Sequence, residues 1–105
     1  MINQQNQERT MSTAMKHKFQ LGRVVATPGA LSALRDAGQT ASFFLDQHVV
    51  GNWGTVGRGD WKLNDEALQI GERLLSAYTT LRGIPLWIIT EADRSATTLL
   101  LPEEY

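Results

Sequence analysis

The spacing of apolar positions changes along the chain. Leu31 and Leu34 in the first half, and Ala67 and Ile70 further on, recur every three positions, which is typical of helices with one buried face. A short run of β-formers near residues 20–26, "RVVA", lies between a glycine and a proline and predicts a strand. The last third contains three further β-like runs, "LLSAYTT", "IPLWIIT" and "ATTLLLP". These patterns predict the order β-α-α-loop-α-β-β-β.

Polar residues and glycines set the expected ends of the first two helices. Thr27 precedes a proline and is predicted to be the N-cap of a helix over about 28–37, which Gly38 ends. Thr40 or Ser42 is expected to cap the second helix, "ASFFLDQHVV", which ends at Gly51.

The third helix is expected to follow a glycine-rich loop. The stretch "GNWGTVGRGDW", residues 51–61, contains four glycines, which permit positive φ or close backbone approach. Asn64 is a favourable N-cap, and the two acidic residues after it suit a first helical turn, because the helix dipole favours negative charge there. The third helix is therefore predicted to begin after Asn64.

These elements indicate an α+β protein. About three short helices are expected to pack on a four-stranded, mostly antiparallel sheet, whose last three strands form a C-terminal meander. Residues 1–18 are polar and are predicted to be a disordered tail, so that residues 19–105 form a single domain.

Composition excludes several classes of site. The chain has 105 residues, a formal net charge of −1 and no cysteine, so it offers neither a disulfide nor a thiolate zinc site nor a thiol nucleophile. A nucleic-acid binder would be expected to carry a basic surplus. No apolar run approaches the roughly 20 residues of a membrane-spanning helix. We therefore expect a cytoplasmic protein with no cofactor, no metal, no membrane contact and no direct contact with nucleic acid.

The polar segment "TEADRSATT", residues 90–98, separates two apolar runs and allows two interpretations. Asp93 and Ser95 are common in turns, and Glu91 or Asp93 could pair with Arg94, which would describe a satisfied hairpin end. The same residues could instead form a binding or catalytic site.

His48 is the other candidate for chemistry. A neutral imidazole can act as a general base near pH 7, with Tyr78 or Glu91 as the acid and Arg73 or Arg94 next to developing negative charge. The alternative is a partly buried, hydrogen-bonded histidine at the end of the second helix.

The glycine-rich loop is the candidate for partner contact. Trp53, Arg58 and Trp61 are residue types that dominate protein interfaces, and the loop lacks the Gly-Lys-Ser/Thr ending of a phosphate loop. The alternative is a structural connector with Trp53 tucked into the body of the protein.

Four strings of this chain resemble a family of small bacterial proteins found on plasmids and other mobile elements. They are "LGRVVATPGAL", "GNWG", "LLSAY" and "LWIITEADRSATTLLLPEEY", and the resemblance covers about residues 19–105. Members are labelled plasmid-related protein or type I restriction endonuclease subunit M. The second label implies a methyltransferase, but this chain is short and its prolines, Pro28, Pro85 and Pro102, form no Pro-Pro motif.

The resemblance implies an accessory role on a mobile element, and three hypotheses follow. The first is a non-enzymatic protein that binds another protein, such as a host CRISPR or restriction complex, through Trp53, Arg58 and Trp61, with Glu91, Asp93 and Arg94 as a polar rim. The second is a small hydrolytic enzyme, nuclease-like in one version, that uses His48, Tyr78, Glu91 and Arg94. The third, an antitoxin-like or DNA-binding regulator, is the least favoured because of the acidic balance. The sequence leaves the oligomeric state open.

Overall fold

The computed structural model describes residues 16–105 and has three helices and a four-stranded sheet. Within these residues no helix is both long enough and apolar enough to cross a bilayer. In chain order the elements are β1 (Arg23–Ala26), α1 (Pro28–Ala37), α2 (Ala41–Val49), α3 (Arg58–Ile70), β2 (Leu74–Thr79), β3 (Pro85–Thr90), β4 (Ala96–Leu100) and a 3₁₀ turn (Pro102–Glu104).

The predicted α+β class and the C-terminal meander are confirmed. Strands β2, β3 and β4 pair in sequence and antiparallel. The sheet is mixed rather than mostly antiparallel, because β1 pairs parallel to β4, in the order β1-β4-β3-β2. A parallel neighbour needs a long crossover connection, and the three helices and two strands between β1 and β4 supply one.

The predicted caps of α1 and α2 are confirmed. The Thr27 hydroxyl accepts a hydrogen bond from the Ala30 N–H at 3.1 Å, and the Thr40 hydroxyl accepts one from the Phe43 N–H at 3.3 Å. Gly38 follows α1 with φ of 66°, the left-handed conformation that glycine adopts without a Cβ clash.

The predicted start of the third helix is wrong. Helix α3 begins at Arg58, six residues before Asn64, with Gly57 in the N-cap position. Asn64 therefore lies in the middle of the helix, where it is buried with 7% of its surface exposed. Its side-chain NH₂ donates to the Leu75 carbonyl at 2.7 Å, and its side-chain oxygen accepts from the Leu75 N–H at 3.0 Å. The side chain binds a neighbouring strand instead of capping its own helix.

The main core lies between α1, α2 and one side of the sheet. Phe44 and Leu45 of α2 and Leu34 of α1 meet the strand residues there, and a second cluster joins α3 to the start of β2. The strand residues of the main core are Tyr78, Leu86, Ile88 and Leu99. The second cluster consists of Trp53, Ala67 and Leu74.

Other segments of the chain pair with the edge of β2 that faces away from β3. In addition to the Asn64 amide at Leu75, the Ala77 N–H donates to the Trp53 carbonyl at 3.1 Å, and the Thr55 N–H donates to the Ala77 carbonyl at 2.6 Å. Gly54 has φ of 79°, and a Cβ on it would overlap the Ala77 carbonyl oxygen, so the close approach depends on glycine. The outward backbone groups of Leu75 and Ala77 are therefore paired within the chain.

The C-terminal turn is tied to the start of α1. The Glu104 carboxylate accepts hydrogen bonds from the Thr27 hydroxyl at 2.5 Å, the Gly29 N–H at 3.0 Å and the Leu101 N–H at 2.8 Å. These bonds, that from Thr27 foremost, hold the pKa of Glu104 below its usual value. A carboxylate at a helix N-terminus is also favoured by the helix dipole.

Most of the predicted tail, residues 1–18, lies outside the described residues. Within the described part, the Lys18 N–H donates to the Val49 carbonyl at 2.8 Å, and Phe19 stacks at 6.1 Å on Trp53. The segment directly before β1 therefore packs on the body of the protein.

We expect Asn64→Ala to lower the free energy of unfolding by about 2–3 kcal/mol, because it leaves the Leu75 N–H and carbonyl at this edge without their partner. Urea unfolding measures the change. Gln69→Ala, on the exposed side of the same helix, is the control and is expected to change the free energy by less than about 0.5 kcal/mol. Equal losses in the two variants would contradict the bridging role of Asn64.

Candidate functional site

His48 lies at the centre of the molecule with 0% of its surface exposed. Helix α2 places it against the sheet, where its Nδ1 lies 2.5 Å from the Ser76 hydroxyl of β2 and its Nε2 lies 2.9 Å from the Thr90 hydroxyl of β3. The Phe19 and Trp53 rings meet the imidazole edge-on at centroid distances of 5.2 and 5.6 Å. Of the two interpretations of this residue, the structure supports the buried, hydrogen-bonded one.

The hydrogen-bond chain around His48 fixes the position of its proton. The Thr97 hydroxyl donates its single hydrogen to the Leu21 carbonyl at 2.7 Å, so it must accept from the Thr90 hydroxyl, 2.7 Å away. Thr90 in turn accepts from Nε2–H of His48, and Nδ1 accepts from Ser76. The imidazole is therefore the neutral Nε2–H tautomer, with both ring nitrogens engaged.

The pKa of His48 agrees with this arrangement. Burial, and to a smaller extent the positive charge of Arg94, together lower the pKa from 6.5 to about 3. The side chain is neutral at pH 7. A general base must reach its substrate, and this imidazole has no exposed surface.

Tyr78 is also engaged internally. Its ring is buried and tilted against Phe44 at 5.4 Å, and its hydroxyl donates to the Asn52 carbonyl at 2.5 Å. Burial raises the pKa of Tyr78 to about 12. It stabilises the loop before α3 and keeps its proton at neutral pH.

Arg94 binds backbone rather than a carboxylate. Its guanidinium donates to the carbonyls of Glu72 at 2.6 Å, Glu91 at 3.1 Å and Ala92 at 3.2 Å, with a longer bond to Ala67 at 3.4 Å. It also lies over the Phe19 ring, 5.7 Å from the centroid. Its φ of 62° is unusual for a residue with a side chain, and these bonds explain how it is held. Arg94 joins the β3–β4 turn to the end of α3.

The β3–β4 turn is the satisfied hairpin end that one interpretation predicts. Asp93 Oδ1 accepts from the Ser95 N–H at 3.0 Å, and bonds to Ser95 hold the pKa of Asp93 below its usual value. Glu91 is exposed in the same turn. The Glu91–Arg94 ion pair considered from the sequence is replaced by the guanidinium bonds to carbonyls.

The expectation that Trp53 contacts a partner is corrected by its burial. It has 0% exposure, and its Nε1–H donates to Asp65 Oδ1 at 2.9 Å. Arg58 and Trp61 lie on α3 rather than in a loop, Arg58 exposed and Trp61 half-buried against the second cluster. Arg73, the alternative charge-stabilising residue, donates to the Tyr105 hydroxyl.

Strand β1 has an edge that faces away from β4, and the sequence did not indicate this edge as a candidate surface. The Arg23 N–H donates to the Ser95 carbonyl and the Thr27 N–H to the Leu99 carbonyl, both at 3.0 Å. Because backbone groups alternate along a strand, those of Val24 and Ala26 point away from β4. Among residues 16–105 no strand pairs with this side, which we call the β1 edge.

A groove of about 600 Å³ runs beside the β1 edge. Val24, which lines it, has 43% of its surface exposed, and Val25 on the opposite face has 39%. The other apolar lining residues are Phe19, Leu21 and Val49, and the polar ones include His17, Lys18 and Gln20. A sequence shows that a strand exists but not which neighbour it lacks, so no local signal in the sequence marks this surface.

No group of three or more histidine or acidic side chains in the described part of the chain is placed to hold a metal ion. Comparisons of the chain with protein-family models, with curated proteins and with solved structures return no match. The resemblance to plasmid-related proteins stays a prediction.

We expect the His48 pKa to make the protein less stable as pH falls. The unfolded chain binds a proton on this residue below pH 6.5, whereas the folded protein does so only near pH 3. The contribution of neutral His48 to the free energy of unfolding is therefore fully present above pH 6.5 and is lost as the pH falls from 6.5 to 3. The loss attributable to His48 is about 2 kcal/mol at pH 5. Urea unfolding at pH 7.5 and 5 measures it.

The control is His48→Gln, which keeps a donor for Thr90 but does not titrate. Its free energy of unfolding should fall about 2 kcal/mol less than that of the parent between pH 7.5 and 5. NMR of the imidazole nitrogens in the parent protein gives a direct check. An imidazole that titrates near pH 6.5 in the folded protein would contradict the assignment.

Proposed function

We propose that the protein is a non-enzymatic binding protein that contacts another protein at the β1 edge. The observation that carries the proposal is the difference between the two edge strands of the sheet, β2 and β1. The outer side of β2 is paired by Asn64, Trp53 and Thr55, whereas the outer groups of Val24 and Ala26 meet no other strand of the described residues. Natural proteins generally protect exposed strand edges, so an open one beside an apolar groove favours a binding role.

Two of the three residues predicted to form a polar rim, Glu91 and Asp93, support a location at the β1 edge, whereas the third, Arg94, donates to backbone carbonyls. The Arg23 N–H donates to the Ser95 carbonyl, which brings the turn that carries Glu91 and Asp93 next to the start of β1. Glu91 and Asp93 are exposed there and are available to a partner. Arg58 lies on α3, which packs at the β2 edge of the sheet, the edge opposite to β1. It is therefore a suitable control residue.

The hydrolytic alternative has less support. His48 and Tyr78 are buried, each with its polar atoms bonded inside the protein, and Arg94 donates to backbone carbonyls. A hydrolytic site needs its acid, base and anion-stabilising groups around one accessible substrate atom.

The partner we propose is a subunit of a host defence complex, of the CRISPR or restriction type, in the bacterial cytoplasm. This part of the proposal comes from the resemblance to proteins of plasmids and other mobile elements. The groove and edge support a protein partner of some kind, since main-chain pairing at a strand edge is a recurrent mode of protein recognition.

The test is an affinity pull-down from a lysate of a bacterium that carries both kinds of defence system, read by mass spectrometry. The baits are the parent protein, Val24→Pro and Arg58→Ala. Val24→Pro removes one outward N–H and none of the bonds to β4, and circular dichroism checks that it folds. We expect a stoichiometric defence subunit with the parent and with Arg58→Ala, and at least a tenfold loss with Val24→Pro.

Equal recovery of that subunit by Val24→Pro and the parent would contradict binding at the β1 edge. Recovery of no defence subunit by the parent would contradict the proposed partner.

A further inference from the structure

We propose that residues 102–105 form a latch that opens and closes over one face of the sheet while the rest of the domain stays folded. The latch consists of the 3₁₀ turn and Tyr105, and the Glu104 carboxylate attaches it to α1. This inference goes beyond the proposed function and does not depend on a partner at the β1 edge.

The face under the latch is the one opposite α1 and α2. Leu86 and Ile88 of β3 point into the main core, so Trp87 between them points to the other face. The Tyr105 ring meets the Trp87 ring edge-on at a centroid distance of 5.7 Å. The Tyr105 hydroxyl accepts a hydrogen bond from Arg73, whose guanidinium carbon also lies 5.4 Å from the centroid of the Tyr105 ring. In the closed latch Tyr105 is therefore held by Trp87 and Arg73.

The Glu104 carboxylate holds the latch against the start of α1. It accepts hydrogen bonds from the Thr27 hydroxyl and the Gly29 N–H of that helix end, and from the Leu101 N–H next to the latch. The Thr27 hydroxyl also caps the Ala30 N–H, so the carboxylate completes the pairing of the first N–H groups of α1. Hydrogen bonds to a charged carboxylate are stronger than neutral ones, which makes Glu104 the point of attachment.

Gly29 leaves the space in which the carboxylate lies. It is the second residue of α1 and does not have a positive φ, so its backbone conformation does not require glycine. A Cβ at this position would lie 2.6 Å from Oε2 and 2.7 Å from Cδ of Glu104. Glycine in a helix is less favourable than alanine. The start of α1 is therefore shaped for the carboxylate at the expense of helix propensity.

The latch has little that resists local opening. No residue of the 3₁₀ turn is buried, and Tyr105 has 67% of its surface exposed. The Glu104 and Tyr105 N–H groups donate to Leu101 and Pro102, and these short-range bonds do not break when the latch opens. Segments with few buried apolar contacts open at a lower free energy than the whole domain unfolds. Opening therefore breaks only the carboxylate bonds and the Tyr105 contacts, and it uncovers Trp87.

Amide hydrogen exchange of the full chain, followed by NMR, tests whether the latch opens by itself. We expect the Leu101 amide, which donates to Glu104, to exchange at least a hundredfold faster than the Ile88 amide in the interior strand β3. Equal rates would show that the latch opens only when the whole domain unfolds, and would overturn the inference.

Two variants test the attachment point in different ways. Glu104→Gln removes the charge, whereas Gly29→Ala places a methyl group where the carboxylate lies and leaves Glu104 itself intact. Both should speed exchange of the Leu101 amide at least tenfold. Both should also move the NMR signal of the Trp87 indole N–H towards its position in Tyr105→Ala, in which the latch has no ring to place on Trp87.

Each variant has a matched control. Glu103→Gln makes the same change of charge at an exposed side chain of the same turn. Gly59→Ala lies at the second position of α3, where a Cβ meets nothing within 4 Å. Both controls should change the exchange rate of the Leu101 amide by less than threefold and leave the Trp87 signal in place.

A Trp87 signal that stays at its parent position in both Glu104→Gln and Gly29→Ala would overturn the inference, because Tyr105 would then be held without the carboxylate. The Thr90 amide, next to the buried imidazole, should keep its parent chemical shift in every variant. A Thr90 shift that accompanies the Trp87 shift would also overturn the inference, because the carboxylate would then hold the whole domain together rather than a latch.

Discussion

The buried hydrogen-bond chain through His48 is the interaction on which the arrangement of the other elements depends. It runs from Ser76 through His48, Thr90 and Thr97 to the Leu21 carbonyl, and so connects α2 with three strands and with the segment before β1. Every donor in it has one acceptor. A buried polar network of this kind is stable only when it is fully satisfied, so it specifies a single packing of helix on sheet.

This network also explains why His48, a candidate general base in the sequence, has both imidazole nitrogens engaged inside the protein. The nitrogen atoms are used to hold the fold, and burial keeps the ring neutral. Phe19 and Trp53 pack against the imidazole, so the ring orders the segment that forms one wall of the groove. The residue that resembled a catalytic base thus supports the proposed binding surface indirectly, through the position of residues 19–22.

Local signals in the sequence were sufficient for most of the fold. Thr27, Thr40 and Gly38 act within one turn of where they stand, so their capping roles could be predicted, as could the meander, whose strands are joined by short turns. The prediction that Asn64 is an N-cap was wrong, because an asparagine that caps a helix and one that bridges to another element look the same in a sequence. Its true partner, Leu75, lies eleven residues away, beyond the reach of a local pattern.

The candidate site was harder to predict, because its features are tertiary. Trp53 and His48 were candidate functional residues in the sequence, but both are buried in the structure. Burial depends on packing between segments that are far apart in the chain. The pairing of β1 with β4, over 70 residues later, decides which strand has an open side. The composition predicted a partner surface at residues 51–61, whereas the surface proposed from the structure lies at the β1 edge, whose place in the sheet no local pattern encodes.

Within residues 16–105 the sheet has a closed edge at β2 and an open edge at β1, and amide hydrogen exchange of the free protein tests this difference most directly. The account predicts that the Leu75 and Ala77 amides, which donate to Asn64 and Trp53, exchange at least a hundredfold more slowly than the Val24 and Ala26 amides. Comparable protection of all four amides would show that the β1 edge is already occupied, and would contradict its role as a binding surface.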